Sequence, residues 1–560
     1  MRPLAARLVL LVCLSVVAAA CQSTGSPTAT GTTEPRPAQT PEAGESPTDS
    51  GTLRYALGEP SAIVPVEAVG SAALTVVDAL FDSLTAWAAS GQQPQQLQVR
   101  PSAAVDWSTE DGRVWTFRLR PRAMFHDGAT PVTAWDFVFA WEQAVRLDEV
   151  GYHLREVEGY EALRTGEADA LAGVTAIDEH TLEVRLSSPN ADFPAVVGHP
   201  ALGPLPRTLW QADPEAFRRQ PVGNGPFVAS EPWARGQFLR VTPFDAWRNR
   251  VARPSVTEVV FQFMDAETAY LAFQQGRLDF AELPPGALTD AAEHYEESPD
   301  GYTGPGLLRG DVPVLYYLGV DVTRPPFDDV EVRRALSLAV DRAAIAGGVL
   351  EGNVTAARSL LPPTLPGPGT LPCQACRHDP EAATAIFADR GITNLVLWFN
   401  RGGGHERIAR QLRRDLHAVG VRLELHTEEF PEYLAALSRG EPNLFRFGWA
   451  VDYPTLDNAL YPILHSSAIG SGDGAHNHGR YAAGDVDALL DEARATLDTR
   501  ERQVRYAEAA DLALNRDQAI VPLFTYRHAA VASDRTANLV YDPMGFVDLV
   551  SVEIVDPGDS

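Results

Sequence analysis

A run of alternating strand and helix patterns between residues 392 and 450 constrains the fold of this 560-residue chain more than any other feature. Hydrophobic periodicity predicts strands at 392–399, 421–425 and 443–450, separated by helices at 406–419 and 431–438. Parallel neighbouring strands need a crossover connection, which is usually a helix. The alternation therefore predicts a parallel sheet in an α/β protein.

A carboxylate follows the last of these strands. Residues 446–454 read RFGWAVDYP, so that Asp452 lies just beyond the strand with Trp449 and Tyr453 close to it in sequence. Ligands of open parallel sheets bind beyond the carboxyl ends of the strands. A carboxylate between aromatic rings suits the ammonium group of a ligand. The alternative interpretation is a turn aspartate that caps the next helix, beside two ordinary core aromatics.

The N-terminus predicts export. Arg2 and Arg7 precede an apolar run at 8–17, and Ala18–Ala20 precede Cys21. This is a signal peptide, too short for a spanning helix, and it resembles a bacterial lipoprotein signal (1–21) in which Cys21 accepts the lipid. Two acyl chains give stable anchoring, here at the outer face of the cell membrane. Plain secretion with an incidental cysteine is the alternative.

Residues 22–50 are rich in Ser, Thr, Pro, Gly and Glu and predict a disordered tether. As a flexible coil this tether would span roughly 30 Å, enough to lift a domain off a membrane.

Composition excludes several classes of function. The net charge of −28 argues against nucleic-acid binding. All 46 basic residues are arginine, which excludes Schiff-base lysines and the P-loop lysine. Neither Gly-x-Ser-x-Gly nor His-Glu-x-x-His occurs. A secreted hydrolase stays an alternative, because carboxylates cannot be paired by distance from one sequence.

Two cysteines remain in the folded part, Cys373 and Cys376, since Cys13 leaves with the signal. In an exported protein this pair predicts a small disulfide that staples a Pro/Gly-rich loop; a zinc or redox site is the alternative. Three histidines, His465, His476 and His478, could bind metal, although solvated loop histidines are the commoner outcome. We expect no metal and no cofactor.

Five stretches taken together resemble one family, the solute-binding proteins of peptide/nickel-type ABC importers. They occur in the family's order, and the resemblance covers about residues 51–554. The stretches are WTFRLRPRAMFHDGATPVTAWDFVFAWEQA (115–144), VGNGPF (222–227), RPPFDDVEVRRALSLAVDRAAI (324–345), NHGRYAAGDVDALLDEA (477–493) and AIVPLF (519–524).

The resemblance implies an α/β fold of the two-lobed periplasmic-binding-protein (Venus flytrap) type, with an extra small domain on the first lobe. By this analogy, lobe I comprises 51–95, 200–314 and 527–560, the small domain 96–199, and lobe II 315–526.

The resemblance also implies the ligand and its contacts. In the peptide-binding branch an aspartate after a Gly-Trp pair holds the α-ammonium of the peptide, and Asp452 and Trp449 match these positions. Arg446 matches an arginine that some members use against ligand carboxylates, and Phe430 matches an aromatic that lines a pocket. With Tyr453 these form the expected ligand site. Where the family often has Asp-Tyr-x-Asp-Pro, this chain has Thr455 and Leu456, which leaves the length of the ligand open.

The expected function is that of a non-enzymatic, monomeric, lipid-anchored protein that captures peptides and delivers them to the permease of an ABC transporter. The same fold with a nickel chelate, haem or an oligosaccharide as ligand is the alternative.

Overall fold

The computed structural model describes residues 51–90, 93–247, 253–367, 372–470 and 475–555. The predicted signal, Cys21 and the tether lie outside the described residues. Within the described ranges, no helix is both long and apolar enough to cross a membrane.

The first of three main sheets has seven strands, and we call the unit built on it lobe I. In spatial order its strands are β12 (Gly306–Leu308), β19 (Ala530–Ala532), β11 (Phe280–Glu282), β1 (Thr52–Leu57), β10 (Glu258–Phe263), β9 (Phe238–Pro243) and β8 (Phe227–Ala229). Its helices are α1 (Ser71–Leu80), α5 (Arg207–Ala212), α6 (Pro214–Arg219), α7 (Ala266–Gln274) and α8 (Leu288–His294). Two further two-stranded pairs are β2 (Thr85–Ser90) with β3 (Gln93–Pro101) and β20 (Thr536–Ala537) with β21 (Glu553–Ile554).

The second sheet has four strands and forms the small domain. In spatial order they are β4 (Ala104–Ser108), β5 (Val114–Leu119), β7 (Thr181–Arg185) and β6 (Val174–Asp178). The accompanying helices are α2 (Ala134–Leu147), α3 (Tyr160–Arg164) and α4 (Phe193–Val196). Helix α2 begins with a capping box, since the Thr133 side chain accepts from the Asp136 N–H and the Asp136 side chain accepts from the Thr133 N–H.

The third sheet has six strands, and we call the unit built on it lobe II. In spatial order they are β14 (Val354–Ala356), β18 (Ile520–Arg527), β13 (Asp311–Val320), β17 (Leu444–Ala450), β15 (Asn394–Asn400) and β16 (Arg422–Glu428). Its helices are α9 (Val330–Ala339), α10 (Pro380–Asp389), α11 (His405–Ala418), α12 (Phe430–Arg439), α13 (Leu456–Leu464), α14 (Gly484–Ala495) and α15 (Thr499–Asp511). The residues at which the chain passes from one unit to the next stay as predicted from the resemblance.

The predicted strand–helix alternation is confirmed in lobe II. Strand β15 pairs in parallel with both β16 and β17, and α11 and α12 are the intervening helices. The prediction of a parallel sheet holds for these three strands only, because β13, β18 and β14 join the sheet antiparallel. Those strands come from distant parts of the chain, which local periodicity does not detect.

Two neighbouring chain crossings connect lobe I to lobe II. Residues 309–310 lie between β12 and β13, and residues 528–529 lie between β18 and β19. The two crossings are bonded to each other: the His528 N–H donates to the Gly310 carbonyl (2.9 Å), and the Arg527 side chain donates to the Arg309 carbonyl (2.7 Å). The Tyr302 ring packs so tightly against Gly310 that a β-carbon there would lie 2.2 Å from Cε1. The connection is therefore a narrow two-stranded hinge.

The hydrophobic cores show where the units meet. One large core runs from lobe I into the small domain, and Tyr453, which belongs to lobe II by sequence, is buried in it. In the opposite direction, Met544 of lobe I packs on the edge of a lobe II core. The lobes therefore contact each other at two places, around Tyr453 and around Met544.

Candidate ligand-binding site

Asp452 lies two residues beyond β17, at the carboxyl edge of the parallel strands. Its backbone N–H donates to the side-chain oxygen of Asn458 (2.7 Å), in the first turns of α13. Thr455 caps this helix by accepting from the Asn458 N–H (3.3 Å). The helix cap is thus Thr455, and the half-buried Asp452 carboxylate is not used for capping.

The charge of Asp452 is balanced by another unit of the protein. Burial raises the pKa of its carboxyl to about 6, against the lowering effects of the Arg155 charge and of hydrogen bonds from Asn458 and Tyr152. Tyr152 and Arg155 belong to the small domain, so Asp452 lies where the small domain meets lobe II. A second cation, such as a ligand ammonium, would favour the ionised carboxylate further.

The two aromatic residues near Asp452 are both buried, each in a different core. The Trp449 indole N–H donates to the Asn458 carbonyl (2.6 Å), and its ring contacts His476 at 4.7 Å between centroids. Tyr453 lies in the core shared by lobe I and the small domain. Trp449 therefore positions α13, and Tyr453 anchors lobe II to the other units.

Arg446 carries a buried positive charge without an acidic partner. Its side chain is 5% exposed, donates to Asn400, and lies over the rings of Tyr316 (5.6 Å) and Tyr433 (6.0 Å). Among the ion pairs of the described residues none involves Arg446, and its Nε has no acceptor there. A buried guanidinium ordinarily has a carboxylate or comparable partner, so the Arg446 charge is left uncompensated among the described residues.

His405, the first residue of α11, lies beside Arg446. Burial, followed by the Arg446 charge, lowers its pKa to about 2, so the imidazole is neutral. The Tyr316 hydroxyl is 3.2 Å from Nδ1 and can donate to it, which leaves Nε2 to carry the proton. Nε2 is buried and has no acceptor among the described residues. Gly403 makes room for it, since a β-carbon there would lie 2.8 Å away.

The remaining candidates from the sequence lie around this region. Phe430 is half-buried at the start of α12 and packs against a lobe II core. His476 and His478 are neutral because burial lowers their pKa values to about 3 and about 4. His465 stacks on Tyr461 at 4.2 Å. Over the ranges that the structure covers, no three His, Cys, Asp or Glu residues are grouped to hold a metal ion.

Cys373 and Cys376 are joined by a disulfide, with Cα atoms 5.2 Å apart. The pair precedes α10, whose N-cap Asp379 accepts from the Ala382 N–H (3.0 Å) and whose first residue is Pro380.

Sequence reasoning missed the groups that complete the site. Tyr152 and Arg155 lie roughly 300 residues before Asp452, and no local pattern marks them. For His405 there was a signal, the triplet Gly402–Gly404 directly before a predicted helix. All three glycines adopt positive φ, which folds the chain back over the start of α11.

Comparison with known proteins identifies the family. The sequence model of the bacterial extracellular solute-binding proteins, family 5 (middle region), matches residues 98–471. The chain is 28% identical over 453 residues to the periplasmic oligopeptide-binding protein OppA of Escherichia coli, covering 77% of this chain and 79% of the relative. It is 27% identical over 474 residues to the dipeptide-binding protein of the same species, with 80% and 85% covered.

Other similar proteins include one that is named for a different ligand and one whose structure has been solved. Heme-binding protein A of Haemophilus influenzae is 28% identical over 479 residues, covering 81% of this chain and 84% of the relative. The unliganded open form of the murein tripeptide-binding protein MppA superposes with a TM-score of 0.77 at 22% identity, covering 91% of this chain and 98% of that one. The fold and the family model define an extracellular solute-binding protein of ABC importers. The chain belongs to family 5 of these proteins, whose fold is two-lobed and of the periplasmic-binding-protein type.

Proposed function

We propose that this protein binds short peptides between its lobes and delivers them to an ABC permease. The observation that carries the proposal is a pair of opposite charges at the carboxyl edge of the lobe II sheet. Asp452, whose pKa is raised by burial, can take an α-ammonium, and Arg446 with the His405 Nε2–H can take a carboxylate. Relatives named as oligopeptide- and dipeptide-binding proteins support the same ligand class.

The separation of the two charges bears on ligand length. Arg446 and Asp452 are six residues apart on one strand and the turn after it. Six residues of extended chain span at most about 20 Å, and the same limit holds for the peptide. An extended peptide therefore needs no more than about six residues to reach both groups.

The direct test is calorimetry with unmodified peptides of two to nine residues. We expect binding, with the highest affinity below about seven residues and no turnover of the peptide. The same calorimetric measurement is made with haem, with a nickel chelate and with oligosaccharides. Binding of haem or of an oligosaccharide without any peptide binding would overturn the proposal, and so would peptide hydrolysis.

Ligand binding is expected to close the lobes around the two-stranded hinge. Closure about a few hinge residues is a common response to a ligand that contacts both lobes. Small-angle X-ray scattering should show a smaller radius of gyration at saturating peptide than without peptide. An unchanged radius at saturation would overturn closure driven by the ligand.

The lipid anchor at Cys21 is proposed from the sequence alone. If Cys21 is acylated, the wild-type protein should partition into the detergent phase in Triton X-114 extraction, and Cys21→Ala should move it to the aqueous phase. Cys373→Ala with Cys376→Ala is the matched control and should not change the partition. Equal partition of wild type and Cys21→Ala into the aqueous phase would show that the protein is not lipidated.

A further inference from the structure

An ionic bridge links the small domain to lobe II. Arg494, near the end of α14, pairs with Glu156 of the small domain and places its Nε 3.0 Å from Asp457 of lobe II. The Arg494 and Asp457 side chains are 7% and 2% exposed. The Asn190 side chain donates to Glu156 (2.8 Å), and the Tyr506 hydroxyl donates to Asp457 (3.1 Å). Each carboxylate is thus bound from two directions.

A second ion pair lies next to the first. Arg502 of α15 places its Nε 3.0 Å from a carboxylate oxygen of Asp192 in the small domain, and both side chains are nearly buried. Between the two pairs, the Ala191 N–H donates to the Arg494 carbonyl (2.8 Å). We call Glu156, Asp192, Asp457, Arg494 and Arg502 the ionic bridge. It is a contact between units that is independent of the two chain crossings of the hinge.

The ionic bridge lies at the Asp452 end of the candidate site. Glu156 directly follows Arg155, and Asp457 is in the first turn of the helix that Thr455 caps after Asp452. Burial lowers the pKa of the Arg155 guanidinium, but the nearby carboxylates of Glu156 and Asp452 outweigh this and help to raise the pKa above its ordinary value. With Arg155 and Asp452 included, the region holds four carboxylates and three guanidinium groups. A ligand ammonium would supply the fourth cation.

We propose that the ionic bridge is a latch that holds the small domain against lobe II before ligand arrives. It keeps Tyr152 and Arg155 beside Asp452, so the unliganded protein already has this end of the site assembled. The affinity of a protein for its ligand falls in proportion to the fraction that is competent to bind. The bridge residues are therefore positioning residues, which act on ligand affinity through the arrangement of the lobes. This inference rests on the proposed peptide-binding function.

Loss of one bridge partner should open the protein. Removing one member of a buried ion pair leaves the other charge without compensation, which is unfavourable in a nearly dry contact. At a contact between units, separation of the units rehydrates that charge at lower cost than unfolding would. The expected response is thus a wider unliganded conformation with each lobe intact.

The test compares the radius of gyration of unliganded and peptide-saturated protein for Glu156→Gln and Asp192→Asn. We expect a larger unliganded radius than in wild type, an unchanged saturated radius, and peptide affinity about tenfold weaker. Asp106→Asn is the matched control, since Asp106 forms an exposed pair with Arg118 within the small domain (2.6 Å). An unliganded radius equal to that of wild type in both bridge variants would overturn the latch.

A double substitution guards against a purely structural effect. Asp192→Asn combined with Arg502→Gln removes both charges of the Asp192–Arg502 pair, so no charge is left uncompensated. If the pair acts as a unit, the two substitutions combined should increase the unliganded radius less than the sum of the single effects. Strict additivity would overturn the coupling. The scattering of unliganded protein needs no peptide, so failure of the peptide-binding proposal and failure of the latch are separate results.

Discussion

Replacing Asp452 with asparagine should weaken the binding of an unmodified peptide by roughly 150- to 5000-fold. The substitution keeps the shape of the side chain and removes its charge, so the peptide ammonium would be enclosed without a counter-ion. Stranding one charge of a buried pair costs about 3–5 kcal/mol, which corresponds to that loss of affinity. Calorimetry of one peptide with both proteins measures it.

Two controls separate this effect from a general disturbance of lobe II. Asp379→Asn, at the N-cap of α10, should leave affinity unchanged because an asparagine caps equally well. N-acetylated peptide should bind wild type poorly and be nearly insensitive to Asp452→Asn. Equal affinities for free and acetylated peptide in both proteins would reduce Asp452 to a turn residue.

Because the Asp452 carboxyl group titrates, we expect peptide binding to depend on pH. Its pKa is about 6 without ligand, and only the ionised form pairs with an ammonium. Affinity should therefore fall as the pH drops below about 6, and again above about 8, where the peptide α-amine loses its proton. In Asp452→Asn the acidic limb should disappear.

Replacing Arg446 with methionine should weaken peptide binding while leaving the fold as stable as wild type or more stable. The guanidinium is buried without a carboxylate partner, so an apolar side chain of similar length removes an unfavourable desolvation, which offsets the loss of the hydrogen bond to Asn400. The ligand carboxylate loses its partner, which for such pairs costs about 2–5 kcal/mol, or roughly 30- to 5000-fold in affinity. Calorimetry and denaturant unfolding measure the two effects.

Arg342 is the matched control, because it is equally buried in lobe II but its guanidinium is already hydrogen-bonded to acceptors of the protein. It donates to the Pro522 carbonyl (2.7 Å) and the Ser337 carbonyl (3.0 Å), and Arg342→Met would leave buried acceptors unsatisfied. We expect that variant to lose a few kcal/mol of stability and to keep its affinity. C-amidated peptide should bind wild type weakly and lose little more with Arg446→Met. A destabilised Arg446→Met with unchanged affinity would assign Arg446 a structural role.

The elements that sequence reasoning predicted well are those specified locally. Helices α11 and α12 and the three parallel strands follow from apolar spacing and from Gly420 and Gly440 at the helix ends, both with positive φ. Helix α1 ends at Leu80, although the apolar spacing of its sequence continues to Leu84. There the Asp82 N–H is bonded by Asn224, from a turn about 140 residues away. A tertiary contact of this kind leaves no trace in the local pattern.

The candidate site, too, could be predicted from the sequence only where local features mark its residues. Asp452 and Arg446 were identifiable because a strand and a family motif mark them. Their surroundings were not: burial puts Trp449 and Tyr453 in two separate cores, and Asp452 meets Tyr152 and Arg155 of another unit. Which side of a strand faces a cavity, and which distant segment covers it, depends on packing between units.

Lobe II is one continuous segment of the chain, and its two ends lie side by side at the two-stranded hinge. Its polypeptide enters at Gly310 and leaves at His528, and these residues are already hydrogen-bonded to each other at 2.9 Å. Domains whose ends adjoin are readily inserted, removed or exchanged, because a short turn can close the gap in either part. Asp452, Arg446 and His405 all lie within that module. Exchange of lobe II at these two adjacent points would carry the three groups together, whereas Tyr152 and Arg155 would stay with the small domain.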